Sequence, residues 1–248
     1  MIVVFQDSAN VVEESLAARL GVQLVSIADL PRDGSTLYLQ YLPQGLCLCT
    51  TGLKSAGPTI VDFFDAALNK RVSDSIRSQN LIKALGLKKN PHPMVLDCMA
   101  GLGKDAYLMA SAGCIVTMWE KSDVVHELLS DGLERFRDAS SGEYGRSLSL
   151  QHGDFLESSY TKGEFDIVYL DPMYPLTSRK SRAKKDMDRL HDLLGFEKVD
   201  DALFQKAVAI AGRRVVVKRP KNASNFASRD PDISYQGSSA RFDVYLTN

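Results

Sequence analysis

Asp171-Pro172-Met173-Tyr174-Pro175 stands directly after the apolar run Phe165–Leu170. A strand that stops on Asp-Pro-x-Tyr ends in a stiff polar turn with an aromatic ring at its edge. Asp-Pro after a strand is also the composition of an ordinary turn. These residue types nevertheless suit one kind of ligand, a flat base with an exocyclic amino group. The Asp171 carboxylate can accept one N–H, the Pro172 carbonyl can accept the other, and the Tyr174 ring can stack on the base. This is the equipment that methyl transfer to an amino nitrogen requires.

A second chemical constellation lies upstream. Asp97-Cys98-Met99-Ala100-Gly101-Leu102-Gly103-Lys104-Asp105-Ala106 follows a short apolar run and precedes a helical pattern, and Gly101-x-Gly103-x-x-Ala106 matches a nucleotide-cofactor fingerprint. Glu120 closes the next apolar run, where an acid can grip ribose hydroxyls. A dinucleotide and S-adenosylmethionine compete for such a loop. A pyrophosphate at a helix N-terminus wants N–H dipoles and no facing carboxylate, so Asp97 opposes it. S-adenosylmethionine carries an ammonium and a sulfonium, which a carboxylate favours. Asp97, Glu120, Asp154 and Asp171 each fall at or just past the end of successive strand-like runs, the edge at which open α/β sheets bind ligands. Asp154 can bond an adenine amino group while the ring of Phe155 flanks the base; an acid there is equally a cap for a following turn.

The elements that must hold these groups alternate. From Met94 onward, strand-like runs at 95–97, 114–119, 148–151, 165–170 and 215–218 are interleaved with helical patterns at 104–112, 124–136 and 201–211. Alternation of this kind predicts a parallel sheet covered by helices on both faces. Runs at 233–235 and 242–246 are separated by too few residues for a crossover helix, so the last two strands are expected to pair antiparallel. Before the linker Asn90-Pro91-His92-Pro93, strand-like runs at 2–5, 22–27, 37–42 and 46–51 predict a small β-rich unit. Helices are expected at 59–69, with Ile60, Phe63, Phe64, Ala67 and Leu68 on one face, and at 78–85, ended by Gly86.

Composition narrows the class. A chain of 248 residues with a 44% hydrophobic fraction can bury one large core with a small appendage. Thirty basic residues against 31 acidic ones do not describe a protein that coats long nucleic acid, but they permit a local basic patch. Cys47 and Cys49 share a strand face, and with Cys98 and Cys114 they lack the second Cys or His pair of a zinc site, so no metal is expected and the thiols read as small buried hydrophobes. His92, His126, His152 and His191 are scattered with no nucleophile or metal partner. The opening residues do not read as a signal peptide and no apolar run approaches membrane length, so a cytoplasmic, reduced setting is expected.

With these motifs in place, the chain resembles the bacterial 16S ribosomal RNA (guanine-N2)-methyltransferase family. The resemblance is carried by the Asp97–Ala106 loop, Asp131-Gly132-Leu133, Val168-Tyr169-Leu170-Asp171-Pro172-Met173-Tyr174-Pro175, Lys184-Lys185-Asp186-Met187, Arg214-Val215-Val216-Val217-Lys218-Arg219-Pro220 and Arg241-Phe242-Asp243-Val244-Tyr245, with Ile60-Val61-Asp62-Phe63 nearer the start. It implies an α/β, Rossmann-like class I methyltransferase fold, with a mostly parallel sheet, antiparallel final strands and a small N-terminal domain. The expected division is 1–90 and 91–248. It also implies S-adenosylmethionine as cofactor, with contacts at Lys104 and Asp105, Glu120 and Lys121, Asp154 and Phe155, and Asp171, beside Asp97, Gly101 and Gly103 from the loop itself. The implied reaction is methylation of a guanine N2 in 16S rRNA or the small ribosomal subunit. Residues 71–80 contain no glycine where family members carry a Gly-rich basic stretch.

Cations lie where such a substrate's backbone would pass. Arg179, Lys180, Arg182, Lys184 and Lys185 follow the Asp-Pro-Met-Tyr turn with no intervening acid, and Lys218 and Arg219 close a later strand on the same sheet edge. Both groups are expected at RNA phosphates, although a charge run is also the composition of a solvated helix face. The turn chemistry does not distinguish guanine N2 from adenine N6 in DNA or from a small amine. An NAD-dependent oxidoreductase is the further alternative, which Asp97 opposes.

Overall fold

The computed structural model describes residues 2–5, 11–26, 28–31, 33–34, 36–52, 57–73, 75–88, 90–139, 147–172, 201–226 and 229–247. Five short strands form an N-terminal sheet: β1 (Ile2–Phe5), β2 (Gln23–Val25), β3 (Leu37–Leu42), β4 (Gly45–Thr50) and β5 (Thr59–Ile60), ordered β2-β1-β3-β4-β5. Helix α1 (Val11–Leu20) joins β1 to β2, which run parallel. The larger sheet contains β6 (Met94–Asp97), β7 (Ile115–Glu120), β8 (Leu148–His152), β9 (Phe165–Leu170), β10 (Ala211–Pro220), β11 (Ile233–Gln236) and β12 (Ala240–Leu246), ordered β11-β12-β10-β9-β6-β7-β8. Strands β6 to β10 are mutually parallel, whereas β12 pairs antiparallel with both β10 and β11. Helices α2 (Ala66–Ser73), α3 (Asn80–Leu85), α4 (Lys104–Ser111), α5 (Asp123–Ala139) and α6 (Asp201–Ile210) complete the described set.

Two expectations are corrected. The helix expected at 59–69 is a two-residue strand followed by a turn, with α2 starting only at Ala66. The β-branched Thr59 and Ile60 pair with β4, the Asp62 Oδ1 accepts from Phe64 N at 2.8 Å, and Asp65 Oδ1 accepts from Leu68 N at 2.8 Å. The last bond caps the helix, so the local hydrogen-bonding competition of Asp sets the boundary. Helix α1 is absent from the expected elements because its apolar signal is thin: Leu16 and Ala17 are its buried hydrophobes, among Glu13, Glu14, Ser15 and Arg19. In the glycine-free stretch 71–80, Ser75 adopts the left-handed conformation (φ 54°, ψ 58°), where glycine is at ease.

Period-two alternation gives the large sheet two buried faces. Val95, Val116, Met118, Ile167, Tyr169, Val216 and Val244 join one core together with buried residues of α3, α4 and α5. Leu96, Val168, Leu170, Val215, Val217 and Tyr245 form another with Leu203, Phe204, Ala207 and Ile210 of α6. Each large side chain fully buried in these layers contributes about 1.5–3 kcal/mol relative to exposure. The first core does not stop at the large sheet, because Val4, Leu16, Leu39, Leu46, Leu48, Val61 and Phe63 belong to it.

Helix α5 is the joint between the two sheets. Asp131 Oδ2 accepts from Leu46 N at 3.0 Å and from Arg135 Nε at 2.8 Å, and the Arg135 guanidinium donates to the Val61 carbonyl at 2.6 Å. Gly132 lets the backbones approach: a Cβ there would lie 2.4 Å from Val61 Cγ1 and 3.0 Å from the Val61 carbonyl oxygen. Gly132→Ala should therefore destabilise the protein. Overpacking of this kind costs about 1–3 kcal/mol, which outweighs the ~1 kcal/mol of helix propensity gained. Urea denaturation of the variant checks this; wild-type or greater stability would show that the joint is loose.

Candidate functional site

The alternation that builds the first core also selects a row of side chains at the carboxyl ends of the strands. On β6, β7, β9 and β10 the residues that follow Val95, Met118, Tyr169 and Val216 by two are Asp97, Glu120, Asp171 and Lys218. All four lie on the α4 side of the sheet. The row straddles β6 and β9, where strand order reverses and the crossovers leave toward opposite edges. The register Val217↔Leu170 sets Lys218 beside Asp171.

The loop between β6 and α4 crosses this edge. Gly101 (φ 53°) and Gly103 (φ 71°) are both left-handed, and Gly103 is the N-cap of α4. A Cβ on Gly103 would lie 2.7 Å from Leu129 Cδ1, whereas one on Gly101 would meet nothing within 4 Å. The first glycine thus faces open space and the second faces packed core. Glu120 fastens the loop from below: Oε2 accepts from Gly101 N at 2.8 Å and Oε1 from Ser122 N at 2.9 Å. Burial raises the Glu120 carboxyl above its ordinary value, against these two backbone N–H groups.

Asp97 is 1% exposed, and its Oδ1 accepts from Met99 N at 3.3 Å. Burial holds its carboxyl well above the usual carboxylate range, and the neighbouring Asp105 and Asp171 push it further. Lys218 Nζ sits between two other acids, 2.7 Å from Asp105 Oδ2 and 2.7 Å from Asp171 Oδ2. The Tyr169 hydroxyl donates to the same Asp105 Oδ2 at 2.8 Å. Burial alone would favour neutral lysine, but the two carboxylates outweigh it and hold the ammonium. Asp105 is drawn below its ordinary value in spite of burial, by Lys218 and the Tyr169 hydroxyl. Asp171 is raised, because burial outweighs the pull of Lys218 and Asp105 repels it. Asp171 is accordingly the more readily protonated member of the pair.

Several expected site residues are placed differently. Lys218 and Arg219, expected at RNA phosphates, are both engaged within the protein. Lys218 is held by the two carboxylates; Arg219, 6% exposed, points to the opposite face, with its guanidinium over the Phe226 ring at 5.2 Å and bonded to the Ser224 carbonyl. Their alternation along β10 sends the two side chains to opposite faces of the sheet. Phe155 is 2% exposed in the second core, with Lys206 Nζ 5.3 Å from its ring centroid, so the ring has no open face to flank a base. Asp154 Oδ1 accepts from Leu156 N at 2.8 Å and caps the 3-10 turn Phe155–Glu157. Lys104 and Lys121 are exposed, and Pro172 is buried. Tyr174 and the run Arg179, Lys180, Arg182, Lys184 and Lys185 lie outside the described residues. Sequence reasoning missed the role of Tyr169; its signal is the odd-numbered register it shares with Asp171. Among the described residues no group of His, Cys, Asp and Glu is arranged to hold a metal, and no helix is long and apolar enough to cross a membrane.

Comparisons with known proteins agree with this geometry. A sequence model of the family described as "Putative SAM-dependent methyltransferase" matches residues 22–247. A Coxiella burnetii protein named ribosomal RNA small subunit methyltransferase J is 41% identical over 237 residues, covering 94% of this chain and 91% of its own length. The protein of that name from Thioalkalivibrio sulfidiphilus is 38% identical over 239 residues, covering 94% and 92%. The crystal structure of a SAM-dependent methyltransferase from Neisseria gonorrhoeae superposes with a TM-score of 0.71 at 31% identity, covering 99% of this chain and 96% of that one. The fold is the Rossmann-like methyltransferase sheet with antiparallel C-terminal strands.

The residues present fit S-adenosylmethionine. Asp97, Asp105, Glu120 and Asp171 crowd one edge with Lys218 between two of them, a surplus of carboxyl groups that a cationic ligand would complement. The open space over Gly101 lies beside Glu120, whose carboxylate can also accept from ribose hydroxyls. Asp97→Asn should separate affinity from stability. The folded-state pKa of Asp97 is raised, so its stability contribution is intact below about pH 3.9, the unfolded value, and is lost as pH rises toward the folded value. Removing the charge should make the cofactor-free variant more stable than wild type at pH 7–8, with the advantage vanishing below about pH 4. Its S-adenosylmethionine affinity should fall about ten- to hundredfold through loss of a charge-assisted contact. Denaturation at two pH values and calorimetric titration test the two halves; unchanged affinity would remove Asp97 from the cofactor site.

Proposed function

The chain belongs to the ribosomal RNA small subunit methyltransferase J family of SAM-dependent methyltransferases, and from that premise we propose that it methylates the exocyclic N2 of a guanine in 16S rRNA, in the cytoplasm. The observation that carries the reading is the Asp171 carboxylate, held at the carboxyl end of β9 by Lys218 and followed by the buried Pro172, on the same edge as Asp97 and Glu120.

The lone pair of a guanine amino group is delocalised into the ring, so the nitrogen is a poor nucleophile. Bound S-adenosylmethionine supplies a methyl group already activated on a sulfonium. The chain's own residues position the amine and manage its charge. Asp171 and the Pro172 carbonyl accept the two N–H groups, which favours a pyramidal nitrogen with an aimed lone pair. Alignment of this kind supplies much of such a barrier reduction. As the nitrogen gains the methyl it becomes cationic, and the Asp171 carboxylate stabilises that charge and takes the proton, directly or through water. A raised Asp171 makes it the better acceptor of the two acids that share Lys218.

Tyr174 stacks on the base once it has been drawn out of its own stack. Arg179, Lys180, Arg182, Lys184 and Lys185, adjacent in sequence to the turn, hold the flanking phosphates. The engagement of Lys218 by two carboxylates and the burial of Arg219 support giving the phosphates to that run.

Asp171→Ala should abolish transfer far more than it weakens RNA binding, because its contact strengthens in the transition state; such losses commonly cost about a hundredfold or more in rate. Single-turnover rates at saturating RNA and cofactor, on rRNA and on DNA, check both mechanism and substrate. Near wild-type transfer by the variant would discard the mechanism, and preference for DNA would discard the substrate. Mass spectrometry of rRNA from cells with and without the protein locates the product.

A further inference from the structure

Lys218 has a role that neither cofactor nor RNA binding accounts for. Its ammonium bridges Asp105 on α4 and Asp171 at the end of β9, at 2.7 Å from each, and it is anchored on the Asp105 side by the Tyr169 hydroxyl on the same carboxylate oxygen. Lys218 bonds the Asp171 carboxylate through Oδ2, so a substrate N–H would be taken by the other oxygen. We propose that Lys218 is a positioning residue for methyl transfer, holding Asp171 in one orientation through a fixed chain from Tyr169 to Asp105 to Lys218 to Asp171.

This inference rests on the reading of Asp171 as the residue that meets the amine. Among the described residues the groups that face the bridge come from four elements and the loop after β9: Asp97 from β6, Asp105 from α4, Tyr169 from β9, Asp171 beyond it, and Arg71 of α2, which acts on Asp105. Three of these are carboxylates. Among the described residues Lys218 is the cation bonded to Asp171, and without it the carboxylate loses that anchor and gains freedom to turn away. Two consequences follow with opposite signs. Loss of the cation should make Asp171 harder to ionise. Loss of the Asp105 charge removes a repelling neighbour and gives Lys218 wholly to Asp171, which should make Asp171 easier to ionise.

The test is the pH dependence of single-turnover methyl transfer at saturating RNA and cofactor, for wild type, Lys218→Met, Lys218→Arg, Asp105→Asn and Asp171→Asn. Lys218→Met should shift the acid limb up by about one to three pH units, as expected for removal of an adjacent opposite charge. Its rate at pH 7 should fall at least tenfold and recover in part at alkaline pH. Lys218→Arg, which keeps the charge, should hold the limb near its wild-type position even with a lower plateau, and Asp105→Asn should move it to lower pH. Asp171→Asn should be inactive throughout. A wild-type limb in Lys218→Met, or an equal loss at every pH in both lysine variants, overturns the positioning role. If Lys218→Met does not fold, Asp105→Asn carries the test alone, and an unshifted or raised limb there overturns it. Wild-type transfer by Asp171→Asn instead overturns the underlying reading of Asp171, a result separate from any outcome at Lys218.

Discussion

Acidic groups crowded into one low-dielectric edge are the constraint around which this molecule is organised. Parallel register brings Asp97, Glu120 and Asp171 to the ends of β6, β7 and β9 on one face, and the first turn of α4 adds Asp105. Burying such charges costs several kcal/mol each unless they are paired. Three devices meet that cost. Lys218 is shared between Asp105 and Asp171, Glu120 commits both oxygens to backbone N–H groups, and Asp97 has its carboxyl raised toward the neutral form. The arrangement that is awkward in isolation is complementary to a ligand carrying positive charge.

The scaffold is built to keep that edge fixed. Helix α5 starts just after Glu120 and runs between the two sheets, so the loop anchored by Glu120, the large sheet and the N-terminal sheet share one element. Leu129 of α5 packs on the Gly103 turn, and Asp131, Gly132 and Arg135 fasten β4 and Val61 one turn further along. On the other flank, Arg241 of β12 donates to the carbonyls of Lys221 and Ala223 and to the fully buried Asp243, which braces the segment leaving β10 just beyond Lys218. The blocks Asp131-Gly132-Leu133 and Arg241-Phe242-Asp243 thereby acquire structural rather than chemical reasons for their residue types.

Much of the large sheet is legible in the chain because its signals are local. Strong apolar runs punctuated by Gly101 and Gly113 mark strand and helix ends, and the acids at the strand termini mark the ligand edge. The N-terminal region is less legible. The stretch around Phe63 and Phe64 has helical spacing, but Phe63 is core, Phe64 is 50% exposed, and the carboxylates of Asp62 and Asp65 decide where the helix begins. Helix α1 hides its identity because two small or medium apolar side chains suffice to dock it.

The residue types at 97–106, 120 and 171–172 by themselves determined an α/β sheet edge suited to a cationic cofactor and an amino-group acceptor, since strand ends, glycine turns and charge are properties of short segments. What only the tertiary structure decided is how the charges pair. Sequence adjacency made Lys218 and Arg219 a basic pair for RNA. The pleat sends them to opposite faces, and the β9–β10 register sets Lys218 beside Asp171, 47 residues away in the chain. An ion pair depends on distance and burial across strands, and neither quantity exists until the sheet has closed.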